Sequence, residues 1–185
     1  MTTHPHLEAR IQERRSRRKR VTIGVVVIVA LIAILIAVVL RTAGSWGVPG
    51  FSFTNEYGSR CKNNLTGHVC SPMTEEHIQA LVQTEIPEGA EMISSTYTQS
   101  GSWSMMARYR LPKEVAADAV PELKKTFGGC ASSAPSTLKI EPNLSKFCVM
   151  TSDNAPDDAP DGNWTVTTAR ADTGDTILQI DVHEH

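Results

Sequence analysis

From Val21 to Leu40 every residue is apolar except Thr22 and Gly24, and no polar stripe recurs at helical spacing. About twenty such residues cover roughly 30 Å of hydrocarbon at about 1.5 Å per residue, whereas a helix in a soluble core would keep a polar face. The pattern therefore predicts a membrane-crossing helix. A cleaved signal has a shorter apolar region, about 7 to 15 residues, followed by a small-x-small site. A cut after Ala43 would put Arg41 at the third position back; a cut after Ser45 would fit, with Ala43 and Ser45 in place, and is the competing reading. The length of the apolar run favours a retained anchor.

Beyond the anchor the period shifts to two. Trp103, Met105, Ala107, Tyr109 and Leu111 alternate with Ser104, Met106, Arg108 and Arg110, which predicts a strand with one face toward a core and one toward water. Its partner is expected over 90–99, joined through Ser100-Gly101-Ser102. Further strands are expected over 146–151, 164–171 and 176–182, the last two joined by the turn Asp172 to Asp175.

Helical spacing occurs twice. Ser71-Pro72 reads as a capped start, Glu75 and Glu76 suit the positive end of the dipole, Ile78, Leu81 and Val82 share a face, and Pro87 ends the stretch. A second stretch starts at Pro112, aligns Val115, Leu123 and Phe127, places Lys124 and Lys125 near its C-terminal end and stops at Gly128-Gly129. Pro121 is expected to kink or divide it. The expected order, α-β-β-α-β-β-β, implies an α+β ectodomain with helices packed on one face of an antiparallel sheet. The expected layout is a basic cytoplasmic tail over 1–20, the transmembrane helix over 21–40, a juxtamembrane stalk over 41–59 and a disulfide-stabilised extracytoplasmic domain over 60–185. In the stalk, Trp46, Phe51, Phe53 and Tyr57 fit the membrane interface or the first core residues of the domain equally well.

Charge sets the orientation. Seven of the 18 basic residues and two of the 20 acidic ones precede Val21, so the remainder holds 11 against 18, a net charge of −7. Basic flanks stay cytoplasmic, which puts the N-terminus inside and the acidic domain outside. The basic run is read as a topology signal that also attracts anionic lipid, and the acidic domain disfavours nucleic acid as a partner. Ala33 and Ala37 form a small-x-x-x-small pair through which the helix can self-associate in the bilayer.

All four cysteines, Cys61, Cys70, Cys130 and Cys148, follow the anchor. An even number in an oxidising compartment predicts two disulfides, and of three pairings the local one, 61 to 70 and 130 to 148, is preferred because Asn63-Asn64 and Thr66-Gly67 can turn the first loop. Neither spacing is the close pair that zinc sites use, so no metal and no cofactor are expected.

Candidate chemistry is sparse. Arg108 and Arg110 project together from the solvent face of their strand and are candidate contacts for an anionic ligand. Ser136-Thr-Leu-Lys139 with Ser152-Asp153-Asn154 superficially resembles the serine motifs of penicillin-binding proteins and class A β-lactamases. The two motifs lie too close together, prolines bracket the first, and S-x-x-K recurs at Ser16 and Ser59. Asn154 to Gly162 is acidic, but Ala159 and Thr168 fall where a calcium loop needs ligands. The histidine pairs at the chain ends are weak metal grips, and Asn64, Asn143 and Asn163 open glycosylation sequons that read as polar loops. No nucleophile elbow, zinc-protease, phosphate-loop or dinucleotide motif occurs, and catalytic residues are unassigned. The sequence thus predicts a single-pass membrane protein whose outer domain binds another envelope component, a protein or a surface polymer. Its rivals are an anchored hydrolase and an accessory subunit of a larger membrane complex.

Overall fold

The computed structural model describes residues 5–131, 134–136, 138, 141 and 143–184, with 5–20 as backbone alone. Contacts divide the chain into two units, Met1–Trp46 and Gly47–His185. The first is one helix, α1 (Pro5–Thr42), whose stretch Val21–Thr42 is long and apolar enough to cross a membrane, with its side chains exposed from Val21 to Arg41. Exposure of that much apolar surface is unfavourable in water and is removed by lipid.

The second unit is α+β. Eight strands, β1 (Ser52–Thr54), β2 (Arg60–Asn63), β3 (Gly67–Cys70), β4 (Glu91–Ser100), β5 (Ser102–Leu111), β6 (Leu144–Thr151), β7 (Asn163–Ala171) and β8 (Thr176–His183), form one antiparallel sheet in the order 1-2-3-4-5-8-7-6. Helices α2 (Glu75–Val82) and α3 (Lys113–Phe127) and a short 3-10 turn over Ser152–Asn154 belong to the same unit. The long β4–β5 hairpin turns at Gly101, whose φ of +81° suits glycine, and β8 then pairs with β5 from Ser104↔His183 to Leu111↔Thr176. That pairing joins the strands before and after α3 into one sheet.

Strand alternation gives the sheet two faces. Met105, Ala107, Tyr109, Leu111, Val166, Leu178, Ile180 and Val182 point one way and meet Ile78 and Val82 of α2 and Ala119, Leu123 and Phe127 of α3 in a single core. Phe127 packs edge-on against Trp164, with ring centroids 4.8 Å apart, and the indole Nε1–H donates to the Pro160 carbonyl at 2.9 Å. On the other face Val149, Thr167 and Gln179 are buried as well. There the Ser136 hydroxyl donates to Thr167 Oγ1 at 3.0 Å, and Leu138, two residues on, is fully buried. Cys130 is bonded to Cys148 of β6, and Cys61 to Cys70 across the β2–β3 pair.

Several expectations change. Three strands precede α2, so the observed order is longer than the one expected, and the segment expected as a stalk contributes β1, where Phe53 pairs with Cys61 and packs against the core. The cap of α2 is Thr74 rather than Ser71, because the Thr74 side chain accepts from the His77 amide at 3.3 Å, and Pro72 lies before the helix. The helix ends at Val82, ahead of Pro87, with Gln83 in the left-handed region. Helix α3 runs unbroken through Pro121. Both Ala117, whose carbonyl loses its amide partner, and Pro121 are exposed, so water can take the bond.

Candidate functional site

Two places concentrate functional-group chemistry, and they differ in how fully their groups are satisfied. The first is a wedge of histidines and aromatic rings at the N-terminus of α2. Asn55 accepts from the Ser59 amide through Oδ1 at 2.8 Å, which turns its NH2 toward His77 Nδ1, 3.2 Å away. Ser59 Oγ lies 3.0 Å from the same nitrogen and accepts from the Thr74 amide at 2.8 Å, while the Thr74 hydroxyl donates to the Tyr57 carbonyl at 2.6 Å. His77 Nδ1 faces the Asn55 donor and so acts as an acceptor, which requires the neutral imidazole. Burial lowers the His77 pKa from its ordinary value, and the neighbouring His68 lowers it further against an opposing pull from Glu56.

The rings stack around this network. Tyr57 lies parallel to His77 with centroids 5.1 Å apart, Tyr97 lies 5.3 Å from it on another side, and His68 sits between Phe53 at 5.2 Å and Tyr97 at 5.7 Å. Burial also lowers the His68 pKa and raises that of Tyr97, the latter with help from Glu184. A serine bonded to a histidine invites comparison with a hydrolytic pair. Here Ser59 is fully buried, and the shorter contact of Asn55, 3.2 Å against 3.5 Å to Nε2, is to the same ring nitrogen that Ser59 meets. The arrangement holds the β1–β2 loop onto α2.

Cys61, His68 and Cys70 bring their donor atoms within 4.8 Å of one another. The two sulfurs are bonded together, so neither is the thiolate a metal requires, and one imidazole is left as a ligand.

The second place is a groove of about 670 Å3 between the segment after α2 and helix α3. Its floor is Ile86, Val115, Ala119 and Leu123. Glu114, Asp118 and Glu122 recur every four residues along one edge of α3, and Glu85 and Glu88 stand on the opposite bank. The 84–88 segment is held close to α3 by a turn in which the Ala90 amide donates to the Pro87 carbonyl at 3.0 Å, and by Gly89. Gly89 has φ +82°, and a Cβ there would lie 3.0 Å from Val115 Cγ2. Among the described residues only Glu122 of the five acids is in a salt bridge, to Lys125 at 3.9 Å.

The two arginines singled out from the sequence do share a face. Arg108 donates to Glu141 at 2.6 Å and to the Gln179 side chain at 2.9 Å, and Arg110 donates through Nε to Glu91 at 2.9 Å. An anion would have to compete with these carboxylates. A second concavity of about 520 Å3, beside Trp103, Val182 and Glu184, lies on the wedge side. Sequence reading missed both principal places. His77 falls on the same stripe as Ile78, Leu81 and Val82, and the acidic stripe of α3 lies next to its apolar one, so each left a periodic signal; the opposing elements left none. No protein-family model, no curated protein and no solved structure matches this chain.

Proposed function

We propose that the chain is a single-pass membrane protein with a cytoplasmic N-terminal tail and an extracytoplasmic α+β domain that binds another envelope component. The groove on α3 carries the binding reading: it is open, apolar at its floor and charged at its rim, as interaction surfaces with a desolvated centre and a polar edge are. Orientation rests on the basic flank before Val21, and the outer compartment agrees with four cysteines joined in two disulfides.

In-cell cross-linking of the full-length protein, followed by purification in detergent and mass spectrometry, tests this reading. A reproducible partner joined to residues of 47–185 is expected; cross-links confined to the N-terminal tail, or none at all, would overturn it. Protease added to intact cells should remove the C-terminal domain and spare an N-terminal tag.

A further inference from the structure

We propose that the groove on α3 docks a cationic amphipathic segment of a partner protein, an inference that rests on the binding reading above. Five carboxylates flank the groove, and among the described residues no Lys, Arg or His lines it. Four of the five have no salt-bridge partner among the described residues, so the rim presents concentrated negative charge around an apolar strip. Glu114 and Glu122, with Asp118 midway, lie eight helical rises apart, roughly 12 Å. A row of that length matches basic side chains repeated every three or four residues on a partner helix, with the apolar side chains between them on Val115, the half-buried member of the floor. Like charge disfavours pairing with a second copy through the same groove, and it disfavours an acidic polymer or an anionic lipid surface. The banks are already held together by Gly89 against Val115, so little ordering is needed on docking.

The test uses the full-length protein in nanodiscs of zwitterionic lipid, titrated with a labelled amphipathic leucine–lysine peptide and with its leucine–glutamate counterpart. Saturable binding of the lysine peptide alone is expected, weakening as salt is raised. Substituting Glu114→Lys, Asp118→Lys and Glu122→Lys together should weaken it by at least about tenfold, or about 1.4 kcal/mol. The same charge change placed on Asp157, Asp158 and Asp172 should leave it within about twofold, which separates docking from attraction to net charge. Should the α3 triple variant lose its fold, Glu85→Gln with Glu88→Gln on the opposite bank gives the same test with a smaller loss. Equal loss from both triple variants, or equal binding of both peptides, would overturn the proposal. A cross-linked partner attached to the domain away from the groove would refute the docking site alone, whereas absence of any partner would refute the binding reading itself.

Discussion

The wedge around His77 and the groove on α3 are both rich in polar groups, yet they have opposite accounts to settle with water. In the wedge, each of Asn55, Ser59, Thr74 and His77 has partners inside the fold, and the rings exclude solvent around them. In the groove, carboxylates stand exposed over an apolar floor with almost no internal counter-charge. Buried polar groups that satisfy one another fix a structure; exposed charge left over beside apolar surface is available to something else. Clustered polar residues alone would have pointed to the wedge as the active place. The wedge groups answer one another, whereas the groove carboxylates are left to solvent.

That contrast can be broken by substitution. The largest expected effect is at the support of the groove: Phe127→Ala removes the ring packed on Trp164 and should cost about 3–5 kcal/mol, read as a lower denaturation midpoint, with peptide binding lost as α3 loosens. Replacing Cys130 and Cys148 together by alanine should cost about 3 kcal/mol, from the loop of sequence separation 18 that they close, and should uncover Val149 and Thr167 to hydrogen exchange. A smaller cost, about 2 kcal/mol, is expected for His77→Ala, which leaves Asn55 and Ser59 without a partner nitrogen; docking at the groove should be untouched.

Acid provides a reversible version of the same break. Because the folded pKa of His77 and of His68 lies below the ordinary 6.5, the unfolded chain binds protons more readily than the folded one. Stability should be flat in this respect above about pH 6.5 and fall as the pH drops from there through the folded values. Thermal melts between neutral and mildly acidic pH should show the decline, and His77→Ala should flatten part of it; an unchanged slope would contradict the assignment. The smallest effect sharpens the comparison from the other side: neutralising Glu114, Asp118 and Glu122 should change stability by less than about 0.5 kcal/mol, since all three are exposed.

Legibility in the sequence followed the length of each pattern. Alternation over the nine residues 103–111, broken at Met106 alone, and a turn glycine at 101 were enough to read the β4–β5 hairpin, and the aligned Val115, Leu123 and Phe127 were enough for α3. Strands β1 to β3 are three or four residues long and carry Asn, Lys and Gly, so no window of alternation exists to read. Gly67 makes the point physically: a Cβ there would lie 1.8 Å from the Gln99 carbonyl oxygen, so the residue that looks like a loop glycine is demanded by close strand packing. The α3 bank of the groove could be read as an acidic stripe, but the other bank arrives through tertiary packing of 84–88, which no local period encodes.

The most direct test of the account places a photo-activated cross-linking side chain at Asp118 in the groove, and separately at Asp172 in the β7–β8 turn, in the full-length protein in cells. A discrete adduct from position 118, mapping to a Lys- or Arg-bearing segment of a partner protein, is expected, and none of comparable yield from position 172. The same adduct from both positions, or an adduct from 172 alone, would contradict it.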